Sequence, residues 1–392
     1  MRSTFFAALC TLLPLPALAA TCGGNFDTFK NALVAEAPDH GVQTLTAREF
    51  LQNVRQDSAV LRADRSQAIY QRPFVDFSRH LISNARIDSG RQNGQRHAQI
   101  FDTIENRYGV DRNVLLAFWA FETDYGNFQG DFNTANALVT LAHDCRRPEL
   151  FRPQVFAAME LFARGDFDPA TTTGAWAGEV GMVQMLPEDI IQNGVDGDGD
   201  GKVSLKTSVS DALLSGGSML QAFGWRKGEP WIDEVTMPAN FDWSLTGLNT
   251  QKSAAEWARL GVRPRDGAFA DSLQASIILP QGRFGPAFLT YPNFEIYFKW
   301  NQSFTYVLTA AYFATRLGGA PVYNAGTPET ALDGDQMRRL QSLLQQRGYD
   351  VGKIDGILGS GTRNAVQKEQ IRLGLPADAW PTPAFLTELE RS

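Results

Sequence analysis

"LLAFWAFETDYGNFQG", Leu115 to Gly130, is the stretch on which the reading of this chain turns. An apolar run leads without a break into one carboxylate, Glu122, and the chain then becomes polar. From Asn113 to Phe121 a helix would be apolar on every side, so it belongs inside a core. Asp111 is placed to cap a helix that starts at Arg112, and Gly126 to stop it. A carboxyl at the end of such a helix is partly desolvated, which favours its neutral form and makes a proton donor near neutral pH. On these residues alone a solvated acid at a helix end is the commoner arrangement.

Working outward, the pattern from Asp27 to about Leu161 is helical. "FDTFKNALVAEA" and "HAQIFDTIENRYGV" space their apolar residues by three and four. Glu295 to Leu317 reads as one more long apolar helix, and period-2 strands are scarce. Residues 318–334, rich in Gly, Pro and Thr, have the composition of a linker. Residues 335–392 then form a separate unit of helix, Gly-rich turn and helix. Domains of this size are marginal, yet many fold alone. The expected division is a leader over 1–20, a mainly helical large domain over 21–317, the linker, and the small C-terminal domain.

The leader carries Arg2, an apolar run from Phe5 to Leu15, and Ala17-Leu18-Ala19 as a cleavage pattern, while Pro14 and Pro16 argue against a buried helix. It predicts export to the periplasm. Cys22 raises the alternative of a lipid anchor, but Thr21 precedes it where such signals prefer a small residue. With Cys10 removed, Cys22 and Cys145 remain, and an even count in an exported chain predicts one disulfide. A net charge of −7 excludes a general nucleic-acid binder and says little about uncharged polymers. No stretch approaches the roughly 20 apolar residues of a membrane helix.

Two further stretches carry chemistry. In "GAWAGEVGMVQMLPEDI", Gly174 to Ile190, glycines permit close backbone approach, and Gln184 is an amide able to meet a sugar hydroxyl or N-acetyl group. A packing turn with Gln184 bonded to backbone reads equally well. In "DGDGDGKVSL", Asp196, Asp198 and Asp200 match the first half of a calcium loop, with the Lys202 carbonyl at the seventh position. The twelfth position is Thr207, so Asp211 is the candidate replacement for the missing Glu. Such an ion would brace the loop and take no part in chemistry. The four histidines lack metal-ligand spacing, and no nucleophile elbow or Cys-His pairing stands out.

With "AFETDYGNFQGDF", "ALVTLAHDCRR", "GAWAGEVGMVQMLP", the Asp/Gly loop and "FKWNQSFTYVLTAAYFATRL" in this order, the chain resembles the lytic murein transglycosylases of the membrane-bound B type. The resemblance covers nearly all of the mature chain. It implies a mainly α fold: a lysozyme-like catalytic domain with helical extensions, then a three-helix peptidoglycan-binding domain. The latter is marked by "LQSLLQQRGY", "IDGILGSGT" and "RNAVQ". It assigns the sole catalytic acid to Glu122 and substrate contacts to Gln184, Trp300, Asn301, Tyr306 and Tyr125. Trp300 stands where the family often has tyrosine, so stacking is expected of it rather than hydrogen bonding. Ala175 replaces a serine of some members, "QMLPEDI" departs from the usual Gln-Phe-x-Pro-Ser, and Glu369 stands where the small domain is expected to carry an aromatic.

The implied reaction cleaves the bond between N-acetylmuramic acid and N-acetylglucosamine without water. One Glu serves as acid and then base, the muramoyl C6 hydroxyl attacks C1, and a 1,6-anhydro end results. Two-carboxylate hydrolysis needs a second acid, and none stands out beside Glu122. The implied partners are peptidoglycan glycan strands and cell-wall synthesis proteins; the implied state is a monomer without a cofactor for chemistry. A water-using muramidase and a wall-binding scaffold with a vestigial groove are the alternatives.

Overall fold

The helix at the centre forms as its ends dictate. Asp111 accepts a hydrogen bond from the Asn113 N–H at 2.8 Å, and the helix runs Arg112–Thr123 with Val114 to Ala120 all buried. It ends before Gly126. Asp124, Tyr125 and Gly126 all take positive φ (49°, 61° and 88°), and the N–H groups of Asp124 and Tyr125 turn back to the carbonyls of Ala120 and Trp119. Backbone strain of this kind at non-Gly residues persists only where the surroundings hold it, and it gathers at functional sites.

The computed structural model describes residues 21–66 and 72–392, so the leader read over residues 1–20 lies outside the described residues. Within them are 17 α-helices, and the molecule is mainly α. Helix Arg112–Thr123 packs against helices Phe304–Leu317, Asn84–Arg96, Ala98–Arg107 and Val209–Ala222, in one core that includes Trp119, Phe118 and Phe313. Cys22 and Cys145 are joined, with Cα atoms 5.1 Å apart, which fixes the start of the described chain to helix Thr134–His143 and its following loop.

The stretch expected to be one helix from Glu295 to Leu317 is two, Pro292–Trp300 and Phe304–Leu317. Asn301 is extended (φ −144°, ψ 135°), its Oδ1 accepts the Ser303 N–H at 2.9 Å, and the Ser303 side chain caps the second helix through the Tyr306 N–H. Asn and Ser compete with helical hydrogen bonding in this way. The break sets Trp300 and Tyr306 at the junction of two helices.

Strands are as scarce as expected, but most of them are gathered in one sheet. Five short strands form an antiparallel sheet in the order Lys252–Ser253, Gln274–Ile278, Phe288–Thr290, Ile232–Thr236, Arg263–Pro264. Ile277 lies opposite Leu289, and Leu289 opposite Asp233. The sheet has its own core around Trp257, Leu289 and Tyr291. Strands of two to five residues are too short to show alternation in sequence.

Three helices, Gly334–Gln346, Ser360–Arg372 and Pro383–Arg391, enclose the small C-terminal core of Leu340, Leu344, Val366, Phe385 and Leu389. Residues 320–333 are neither helix nor strand, yet they are tied along their length: Tyr323 is buried, its N–H bonds Tyr312 Oη at 3.1 Å, and the Thr327 N–H bonds the Phe284 carbonyl at 2.8 Å. The small domain docks through Arg363. Its guanidinium donates to the Leu279 and Pro280 carbonyls, at 3.3 and 2.7 Å, and lies 4.5 Å from the Phe304 ring centroid. Glu369 is 2% exposed and turns inward. Burial alone would raise its carboxyl, but bonds from Arg372 and Tyr349, with the charges of Arg372 and Arg347, hold it below the usual range.

Candidate active site

Glu122 sits in the last turn of helix Arg112–Thr123, where the broken late helix reaches it from across the core. Its Oε1 accepts from Tyr306 Oη at 2.5 Å and from Trp300 Nε1 at 2.9 Å. The Trp300 ring stacks on Phe118, centroids 4.2 Å apart and planes 17° from parallel. Trp300 is therefore a hydrogen-bond donor to the acid, contrary to the expectation of stacking alone; its indole is aimed by the Asn301–Ser303 break and supported by Phe118. Both donors engage one oxygen, so a proton on the carboxyl belongs on Oε2. Burial pushes Glu122 up to about 7; the bonds from Tyr306 and Trp300 oppose that rise, and the charge of Glu179 adds to it.

The turn Gly174–Met185 folds onto the end of the same helix, where Thr123 Oγ1 donates to the Met182 carbonyl at 2.6 Å. Here the glycines serve packing. A Cβ on Gly181, at φ +85°, would lie 2.4 Å from Leu205 Cβ, and one on Gly174 would lie 2.0 Å from the Glu179 carbonyl oxygen. Gln184 has φ 52°, and its Nε2 donates to the Gly181 and Gln129 carbonyls at 2.7 and 3.3 Å. The amide nitrogen is thus taken by backbone, as in the packing-turn reading of this stretch.

Glu179, in the same turn, is easily overlooked in the sequence because glycines and apolar residues surround it. It is a second carboxyl whose charge bears on Glu122. Burial raises it, while its own N–H and the charge of Arg147 pull it down and Asp189 raises it further. The one available signal was an acid within an otherwise apolar Gly-rich motif.

A groove of about 950 Å³ runs past Glu179 and Trp300. Trp176, Glu179, Trp300 and Asn301 line one side, and Gln341, Lys353 and Asp355 of the C-terminal domain line the other. Tyr125, expected at the substrate, braces the strained turn: its hydroxyl donates to the Arg86 carbonyl at 2.8 Å and its ring meets Trp119 edge-on. The structure brings Glu122, Trp300 and Tyr306 into direct contact and sets Asn301 next to Trp300 in the groove.

In the Asp/Gly loop, ligand oxygens of Asp196, Asp198 and Asp211 lie within 4.8 Å of one another, a donor set that suits a hard cation such as Ca²⁺. Asp211 is fully buried and accepts from the N–H groups of Gly197 and Ser204 and from Ser208 Oγ. Asp200 is not part of that cluster; its Oδ1 accepts the Lys202 N–H at 2.9 Å. Three of the four predicted carboxylates are thus gathered in one place, and Asp200 stands apart from them.

Residues 25–315 match the family described as Transglycosylase SLT domain, and residues 333–389 match a peptidoglycan binding domain. Membrane-bound lytic murein transglycosylase B of Escherichia coli (strain K12) is 26% identical over 302 residues, covering 73% of this chain and 82% of that protein. SltB3 from Pseudomonas aeruginosa, solved in complex with NAG-anhNAM-pentapeptide, is 36% identical with a TM-score of 0.86 over 94% of this chain and all of that one. E. coli Slt35, solved in complex with calcium, shares the fold at 22% identity and a TM-score of 0.65, covering 76% of this chain and 96% of that one. With the family match running through Glu122, the Gly174–Met185 turn and the broken late helix, the chain belongs to the SLT transglycosylases and is a peptidoglycan lytic transglycosylase that carries a peptidoglycan-binding domain.

Proposed function

We propose that the enzyme cuts the N-acetylmuramic acid to N-acetylglucosamine bond without water and leaves a 1,6-anhydromuramoyl end. The observation that carries this reading is the Glu122 carboxyl, raised to about 7 with both donors on Oε1. Its Oε2 proton passes to the glycosidic oxygen as the C1–O bond breaks. The carboxylate then takes the proton of the C6 hydroxyl, whose oxygen bonds to C1. Protons balance and no water is consumed. Trp300 and Tyr306 steady the carboxylate between the two steps by donating to the oxygen that does not carry the proton. Asn301 and the Gln184 Oε1 are the proposed sugar contacts. That SltB3 was solved with an anhydro-sugar ligand supports the product.

One observation favours hydrolysis, the presence of Glu179 near Glu122. A water-activating base must reach its water, and the Glu179 Oε2 is enclosed. The lyase reading is therefore the stronger. Mass spectrometry of muropeptides released from purified sacculi decides: anhydro ends are expected, and reducing ends would establish hydrolysis. We also propose that the protein works in the periplasm as a monomer on glycan strands, alongside wall-synthesis proteins. A Ca²⁺ held by Asp196, Asp198 and Asp211 would brace the loop beside the turn.

A further inference from the structure

The far wall of the groove comes mainly from one loop of the small domain, Val351 to Gly359. Gln341, 1% exposed, holds that loop from within. Its Nε2 donates to the Lys353 and Ile357 carbonyls, both at 3.1 Å, and its Oε1 accepts the Gly356 N–H at 2.9 Å. Asp355 is committed to the same task, accepting from Gln341 Nε2 and from the Ile357 N–H. The loop runs into helix Ser360–Arg372, which is clamped to the large domain. Arg363 reaches the Leu279 and Pro280 carbonyls, and Gln367 Nε2 donates to the Thr246 carbonyl at 2.8 Å. Asp378 accepts from the Arg283 N–H and guanidinium at 3.0 and 3.2 Å. Lys353 is the exception in this wall. Its carbonyl is held by Gln341, but its side chain is exposed at the groove and its ammonium has no hydrogen bond or ion pair among the described residues.

We propose that Lys353 reads the peptide part of the substrate: its ammonium pairs with a carboxylate of a stem peptide on the strand held in the groove. This rests on the proposed cleavage taking place in this groove. The sugars of a strand carry no charge once their lactyl groups are joined to peptide, so the carboxylates of such a strand lie on its peptides. A cation on the wall opposite Trp300 and Asn301 therefore meets substrate charge only there. The stem is recognised from the small domain while the sugars are cut on the large one. Attraction between the two charges is stronger inside a groove than on an open surface, because less water screens it.

Soluble, uncrosslinked strands are compared in two forms, with their peptide carboxylates free and with the same carboxylates converted to methylamides. On the free form, Lys353→Ala is expected to lower kcat/KM about threefold to fivefold, through KM, as the loss of one ion pair near a surface would. Lys353→Arg keeps the wild-type value. On the methylamide form the wild type falls to the level of K353A. The side chain is exposed, so the fold does not depend on it. Equal kcat/KM of K353A and wild type on the free form overturns the proposal, as does an equal loss by K353A on both forms. Strand cleavage is counted whatever ends are left, so failure of the anhydro chemistry and failure of this proposal are separately visible.

Discussion

Glu122→Gln lowers turnover of purified peptidoglycan by about 10³-fold or more, at the upper part of what a single general acid contributes. The amide accepts the bonds from Trp300 and Tyr306 at Oε1 but has no acidic proton to give, and it cannot take one from a C6 hydroxyl. The fold tolerates the change, since Gln keeps the side chain's size and an oxygen to accept from Trp300 and Tyr306. In the wild type, kcat/KM falls as pH rises through about 7, because the acid form is then lost. The sign for stability is the same. The folded state raises this carboxyl, so its contribution is full below the ordinary glutamate range and disappears as pH climbs through about 7. E122Q abolishes both effects. Activity of the mutant within tenfold of wild type would remove Glu122 from its role.

Asp211→Ala destabilises the protein by about 3–5 kcal/mol, the range for stripping a buried carboxylate from several donors at once. Asp211 is fully buried and gathers Gly197, Ser204 and Ser208 around itself, joining both ends of the Asp/Gly loop to helix Val209–Ala222. Denaturant unfolding of the mutant measures the loss, and a loss below about 1 kcal/mol, the worth of an ordinary hydrogen bond, contradicts this account of the residue. The proposed ion is tested in the same series. A chelator lowers the wild-type melting midpoint by removing a ligand of the folded state, and has no effect on Asp211→Ala. No chelator effect on the wild type removes the ion while leaving the packing role of Asp211 standing.

The central helix was legible from its residues because both of its determinants are local: an Asp at the N-cap and an apolar run buried on every face. The geometry at its far end was not. Two residues other than glycine take positive φ there, held by helix Asn84–Arg96 through Tyr125 and by the Gly174–Met185 turn through Thr123. Those contacts span dozens of residues and leave no trace in a local pattern. The same holds for Trp300, whose role depends on a helix break made by Asn301 and Ser303 inside an apolar run. Glu179 is the instructive omission. Its environment is set by Arg147, Asp189 and the groove wall, none of them adjacent in the chain. The groove's second side comes from the C-terminal domain, which composition alone presents as a separate unit.

Glu122 is a half-buried carboxyl at the end of a core helix that keeps its proton close to neutrality. The most direct measurement is the titration of the Glu122 side chain in the wild-type enzyme, with its resonance assigned by its disappearance in E122Q. A midpoint near 7 is the predicted result. A midpoint in the ordinary glutamate range, about 4 to 4.5, contradicts the account, since Glu122 would then be ionised when the sugar linkage reaches it.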